Sequence, residues 1–410
     1  MYTSAVPPMP LYRVDDCDPP VEFVEVKPNP VATIPDALRR RILVQTVHDG
    51  ECIPERFIRN AQGELIVDPE LLERRFVWER DWGADLVARN IAEAVGLEGY
   101  ARVRLARVLM DFNRFPGATP HDTGAFSLQR LAISYPYTQW LDHGQKTEVL
   151  EHFYDEISTR MERELVRDKL IMITVHTYDE RNPSSTRRPQ LSILNRVLGY
   201  QRESRMPYGI FDPMYPDVLG ESTCSRVLRD RMSLSLERHQ FRVSHNYPYA
   251  LPAGCLEVRA QVWLFFRYLR DRYEEAHPES RRDPAYERVW RMLMNTNLRA
   301  QPGATLSGYL HRFTRVRPEE RASFDAAASA YARIERFLSD GATLRDFRRS
   351  RDRPSSLGLE VRKDLVCTLD AHGLPRPRTP EQTERAQLIG RVIAGAIATF
   401  FDTDRDYLGG

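Results

Sequence analysis

The sequence predicts an α/β protein built on a largely parallel sheet, with an all-helical insertion. Three observations carry that prediction. From Arg41 onward, short apolar runs (RILVQTV, RVRLARVLM, KLIMITVHT, QFRVSHNY) alternate with stretches of helical spacing such as WGADLVARNIAEAVGL and KTEVLEHFYDEISTRMERELVRD. Alternation of that kind sets strands side by side with helices on both faces. Residues 263–349 then read almost wholly helical, through WLFFRYLRDRYEEA, AYERVWRMLMNT and ASFDAAASAYARIERFLSDG. Finally a strand-like SLGLEVRKDLVCTLD returns before a closing amphipathic helix, ERAQLIGRVIAGAIATFFD. The helical block is therefore enclosed within one α/β domain.

Residues 1–38 hold eight prolines, a density that excludes a packed helix and reads as an arm or linker. Behind it the chain divides into an α/β domain, 39–262 with 350–410, and the helical block 263–349 between its two parts. The 410 residues are 42% hydrophobic with a formal net charge of +1, which is globular composition. Of 59 basic residues, only Lys27, Lys146, Lys169 and Lys363 are lysine. Runs such as RDFRRSRDRP mix both signs and suit a solvated face, so nucleic acid is not an expected partner. The five cysteines, Cys17, Cys52, Cys224, Cys255 and Cys367, are odd in number and lack Cys-x-x-Cys spacing. The expectation is no disulfide framework, no thiolate zinc site, and a reducing compartment. No signal-peptide pattern or apolar run of membrane-spanning length is present, so a cytoplasmic location without membrane contact is expected.

Candidate chemistry begins with two histidines. His48 in LVQTVHDGECIPERF and His176 in LIMITVHTYDERNP each follow β-prone residues and precede polar, turn-forming ones. Each is expected at the C-terminal lip of a strand, where open α/β sheets carry their ligand sites. His48 and Glu51 form His-x-x-Glu, which on a tight turn brings an imidazole and a carboxylate to one cation. His176 would complete a three-ligand site with a position left for water.

The ordered motifs VHDGECIPE, WERDWGADLVA, VLMDFNRFPG, ITVHTYDERNP, VSHNYPY and SLGLEVRKDL resemble the N-formylglutamate amidohydrolase family over roughly 40–254 and 352–402. The resemblance implies a zinc-carboxypeptidase-like (phosphorylase/hydrolase-like) fold with a mixed, mostly parallel sheet. It also implies one Zn2+ per chain and hydrolysis of the amide of an N-acylated amino acid. It puts His48 and His176 on zinc and leaves the third ligand open between Glu51 and Asp81 of WERDWGAD. Because 263–349 departs just after VSHNYPY and returns just before SLGLEVRKDL, the block is expected to form a cap over the site.

Glu360 is the expected proton carrier. It sits in an apolar strand context that raises its pKa towards the useful range, and it matches the family's late glutamate. Glu257, in a similar LEVR setting, is the runner-up. Arg362 lies on the same strand face as Glu360, either as its ion-pair partner or as a substrate contact. Asp111, Asn113 and Arg114 are expected at a strand end, with Asn113 and the forked guanidinium of Arg114 gripping a substrate carboxylate while Asp111 ties the turn. Asn246 and Tyr249 are further candidate substrate contacts, and Asp179 a candidate orienter of His176. His121, His143, His152, His239, His245, His277, His311 and His372 lack ligand-spaced partners and are expected mostly at the surface. No glycine-rich phosphate loop, Gly-x-Ser-x-Gly elbow or thiol with a histidine partner appears. The resulting expectation is a zinc-dependent hydrolase using metal-activated water on an N-acylated amino acid or short peptide bearing a carboxylate. The competing expectation is an inactive scaffold that binds a protein partner through the helical block.

Overall fold

The computed structural model describes residues 11–116, 131–162, 166–203, 211–296, 303–311, 315–350, 353–370 and 374–404; His121 and His372 lie outside them. The strands are β1 (Arg13–Val14), β2 (Val21–Glu25), β3 (Ile42–Thr46), β4 (Cys52–Ile53), β5 (Gly99–Val103), β6 (Ile171–Tyr178), β7 (Leu191–Leu194), β8 (Val243–His245) and β9 (Ser355–Arg362). The longer helices are α1 (Pro69–Glu79), α2 (Ala84–Val95), α3 (Arg226–Arg238), α4 (Leu256–Ala276), α5 (Pro284–Leu293), α6 (Gly303–Leu310), α7 (Arg321–Ser339), α8 (Ala342–Arg349) and α9 (Pro380–Thr399). The main sheet has seven strands in the order β2-β5-β3-β6-β9-β7-β8. Its centre, β5-β3-β6-β9, is parallel, while β2 and β7 run antiparallel to their neighbours β5 and β9. This is the mixed, mostly parallel sheet that the sequence and its family resemblance imply.

Strand parity sorts the side chains. Ile42, Val44, Ile171, Ile173, Val175, Leu357, Leu359 and Val361 all enter one core with α2, α3 and α9. Successive strand residues point to opposite faces, so Met172, Thr174 and His176 face the other layer, as do Ser356, Gly358 and Glu360. The first of these joins Leu43 and Ala260 in a smaller cluster. Both β6 and β9 are buried along their whole length, which explains why they read as unbroken apolar runs and not as alternating ones.

The N-terminal segment departs from expectation. Val21–Glu25 is no linker; it pairs with β5 and forms one edge of the sheet. Proline is tolerated at such an edge because a strand there uses one side of its backbone, and Pro19 and Pro20 lie just before the pairing begins. Short β1 also runs parallel to β4, bringing Cys17 against Cys52 in a disulfide with Cα atoms 5.8 Å apart. The expectation of unpaired thiols thus fails for this pair, because 35 residues separate them and no local spacing announces the contact. The inference of a reducing compartment loses that support. Cys224, Cys255 and Cys367 are free and buried.

Helix α4 begins at Leu256, ahead of the boundary expected at 263. Its first turns, Leu256–Val262, are buried all round, which conceals the helical period in the sequence. Beyond them Phe265, Phe266, Leu269 and Tyr273 pack with Trp290 of α5, Ile334 of α7 and Phe347 of α8 in a separate core. Among the described residues no helix is long and apolar enough to cross a membrane.

On the other side of the sheet α9 lies directly on α2. A Cβ at Gly390 would stand 2.4 Å from the Asn90 carbonyl oxygen, so the two axes approach only because no side chain is there. Gly390→Ala is expected to cost about 1–3 kcal/mol, the usual range for overpacking. Urea unfolding monitored by circular dichroism checks this, and an unchanged midpoint would show that the helices separate freely.

Candidate active site

Three loops and the strands β6 and β9 converge on the face opposite α2 and α9. His48 stands two residues beyond β3, and His176 lies inside β6 near its C-terminal end. The backbone N–H of Asp81 donates to the His48 carbonyl at 3.0 Å, which fixes the α1–α2 connection against the β3 loop. Asp81 is thereby brought between the two imidazoles. His176 Nδ1 lies 3.0 Å from Asp81 Oδ2, and His48 Nδ1 lies 3.5 Å from the same oxygen. The ring centroids are 4.9 Å apart, and one donor atom from each of the three residues falls within 4.8 Å of the others. All three residues are buried, and His48 Nδ1 has no hydrogen-bond partner. Two imidazole nitrogens and a carboxylate oxygen in that arrangement can hold a divalent metal.

Behind this group stands a ring of charge. His48 Nε2 lies 2.7 Å from Asp111 Oδ1. Arg107 Nε donates to Asp111 Oδ2 at 3.1 Å, and its Nη1 reaches Asp81 Oδ1 at 3.5 Å. His176 Nε2 is 3.8 Å from Glu257 Oε1. Burial would raise both aspartate pKa values, yet His176 and His48 pull Asp81 far below the ordinary carboxylate range. His48 and Arg107 do the same for Asp111. Burial opposes charge on His176 as well, but its hydrogen bond to Asp81 and the nearby carboxylates of Glu257 and Glu360 hold its pKa well above that of free histidine.

Glu360 is His176's direct partner across the β6–β9 ladder. The hydroxyl of Tyr249 donates to Glu360 Oε1 at 2.6 Å, and Glu360 Oε2 is buried without a partner. Burial first, and the Asp81 charge after it, raise this carboxyl's pKa, with His176 and Tyr249 offsetting part of the shift. A cavity of about 620 Å³ opens over His48, Asp81, His176 and Glu360. Arg107, Arg114, Arg188 and Lys363 also line it. Arg114 approaches Asp111 Oδ2 at 3.4 Å, Lys363 is paired with Asp179 at 3.0 Å, and the buried Arg188 Nε has no hydrogen-bond partner.

Several sequence candidates lie elsewhere. Glu51 does not join the histidines: its carboxylate accepts from Arg80 at 2.8 Å and lies 3.9 Å from Arg102. The reason is local, since Cys52 has already entered β4 and turns the preceding side chain away from the histidine group. Asp111, Asn113 and Arg114 occupy a loop well past β5, which ends at Val103, and not a strand end. Asn113 accepts from the backbone N–H of Leu256 and so caps α4, although it also borders the cavity. Asn246, at φ 52°, holds the backbone N–H groups of Asn195 and Arg196 and is a turn residue, not a substrate contact. Arg362 is engaged with Asp364 through Nε and Nη2 and does not reach Glu360. Asp179 pairs with Lys363, and Asp81, not Asp179, orients His176. Glu257 sits in the first turn of α4, not on a strand. Among the described residues none in 263–349 lines the cavity, so the described part of the block does not form the expected cap. Sequence reasoning missed Arg107 and Arg188; four-residue spacing between Arg107 and Asp111 was the one signal for the first, and nothing local marks the second.

The N-formylglutamate amidohydrolase family model matches residues 40–281. The chain belongs to that family. Its match includes His48, Asp81, Asp111, His176 and Glu257, while Glu360 lies beyond it. Among solved structures, the chain is similar to an N-formylglutamate amidohydrolase from Ralstonia eutropha JMP134, with 13% identity, 93% of this chain and 97% of that chain covered, and a TM-score of 0.44. It is also similar to a gene product of Agrobacterium tumefaciens, with 16% identity, coverage of 89% and 94%, and a TM-score of 0.40. No curated protein matches the sequence.

For this member of the amidohydrolase family, the placement of Asp81 and Glu51 separates their roles. Asp81→Asn is expected to weaken divalent-metal binding by more than the ~10–100-fold typical of outer partners. Glu51→Gln should leave that affinity nearly unchanged. Chelator competition measures both, and the reverse order would make Glu51 the third ligand.

Proposed function

We propose that the chain is a zinc-dependent amidohydrolase that cleaves the amide of an N-acyl amino acid or short peptide carrying a free carboxylate. The observation that carries the reading is the joint placement of His48, Asp81 and His176, with Glu360 beside His176 across the strand pair. The donor set fits zinc: two inward-facing Nδ1 atoms and one carboxylate oxygen, with the buried His48 Nδ1 otherwise unpartnered. Zinc held there would acidify a water molecule and polarise the amide carbonyl.

The chain's own residues supply the rest. Glu360 accepts a proton from the attacking water as the C–O bond forms, then delivers one to the amine nitrogen as the C–N bond breaks. Its raised pKa suits both halves of that exchange, because a carboxylate too acidic would not take the proton and one too basic would not return it. Tyr249 holds Oε1 of Glu360, which lines the cavity, while Oε2 has no hydrogen-bond partner. Arg114, lining the cavity with a guanidinium only partly engaged by Asp111, is the expected anchor for the substrate carboxylate.

Two substitutions test this. Glu360→Gln should retain fold and metal while losing ~10²–10⁴-fold in kcat, the usual contribution of a general base; near-wild-type turnover would remove Glu360 from the mechanism. Arg114→Lys keeps the charge but loses the planar fork, so KM should rise more for N-formyl, N-acetyl and N-succinyl amino acids than for their amides or esters. Equal losses on charged and neutral substrates would make Arg114 a structural residue.

A further inference from the structure

We propose that Glu257 is a positioning residue: from the first turn of α4 it holds His176 with Nδ1 turned inward, which makes the helical block a part of the metal centre. This rests on the metal reading given above. The geometry begins with the start of the helix. Cys255 is its N-cap residue, the Leu256 backbone N–H is bound by Asn113 Oδ1 at 3.0 Å, and Arg259, fully buried, donates to Glu162 and Ser158, both at 2.6 Å. The first turn of α4 is thus pinned on both sides of Glu257.

From that fixed position the side chain is directed onto the sheet. It passes over Gly358 of β9, where a Cβ would stand 3.6 Å from Oε1. Oε1 stops 3.8 Å from His176 Nε2. Glu257 is fully buried, and among the described residues neither carboxylate oxygen has a hydrogen-bond partner. A carboxylate so placed is strongly disfavoured unless a positive or donor group faces it. The positive end of a 21-residue helix supplies part of that compensation, since Glu257 lies in its first turn. The imidazole edge of His176 supplies the directional part.

His48 shows the same logic in a tighter form. Its Nε2 meets Asp111 at 2.7 Å while its Nδ1 faces Asp81. Each imidazole is therefore backed by an acid at Nε2 and faces the shared centre through Nδ1. An acid there keeps the proton on Nε2 and the lone pair on Nδ1, the tautomer a metal ligand needs, and it fixes the ring plane. Asp111 comes from the α/β domain. Glu257 comes from the helix that continues into the block, so the two supports have different origins in the chain.

The test uses the full-length chain with Zn2+ and Co2+ as probes. Dissociation constants come from chelator competition, the Co2+ absorption bands report ligand geometry, and the metal-free thermal midpoint reports the fold. Glu257→Gln is expected to weaken both metals by ~10–100-fold and to shift the Co2+ bands, with the metal-free midpoint unchanged. Unchanged affinity and bands together with a lowered metal-free midpoint would overturn the proposal and leave Glu257 a purely structural acid. If Glu257→Gln does not fold, Glu257→Asp carries the test, because it keeps the charge and withdraws it by one methylene; undiminished affinity in that variant overturns the proposal equally. Failure of the metal reading itself looks different: wild-type chain that binds neither ion, or His176→Ala that binds both as tightly as wild type.

Discussion

The structure turns on one buried carboxylate. Asp81 is removed from water, a position tenable only if donors or positive groups meet it. Its Oδ2 faces two imidazole Nδ1 atoms and its Oδ1 faces Arg107. Arg107 in turn holds Asp111, and Asp111 holds the far side of His48. The interactions close into a circuit that returns to Asp81, so no member can be neutralised without leaving another buried charge exposed to its own desolvation cost. The backbone bond from Asp81 to His48 ties that circuit to the chain, and strand parity on β6 and β9 places His176 and Glu360 on the same side of the sheet.

Much of this is legible in the sequence. The apolar runs ending on His48 and His176 mark neighbouring strands because β3 and β6 are central and buried on both faces, so their sequence is continuous and their ends abrupt. The order of motifs pointed to Glu360 and to Asp81 as an alternative to Glu51. Sequence proximity misled for Glu51, since three residues from His48 suffice to suggest a shared cation but say nothing of the turn into β4. The same limit applies to Asn246. An Asn beside a histidine and two tyrosines looks like a polar contact, whereas its positive φ commits the side chain to satisfying a turn.

The helical block was legible as helix and misread in position. Its entry, LEVRAQV, echoes the LEVR that ends β9 because both stretches are buried throughout. Burial erases periodicity, and with it the difference between the two elements. With Leu256 as its first helical residue, α4 carries Glu257 in its first turn and continues from there into the block. The buried Arg259–Glu162 ion pair locks α4 to the helical stretch 143–162 two residues beyond Glu257.

The edge strand β2 has a consequence for how the protein can be divided. The family match begins at residue 40, while the strand that covers the outer edge of β5 ends at Glu25. A chain begun at residue 40 would retain His48, Asp81, His176 and Glu360 yet leave the outer backbone donors and acceptors of β5 without the partners that β2 supplies. Unpaired sheet edges recruit other strands. β2 therefore occupies an edge that would otherwise be open to a strand of another chain, a contribution that leaves no trace among the residues that face the cavity.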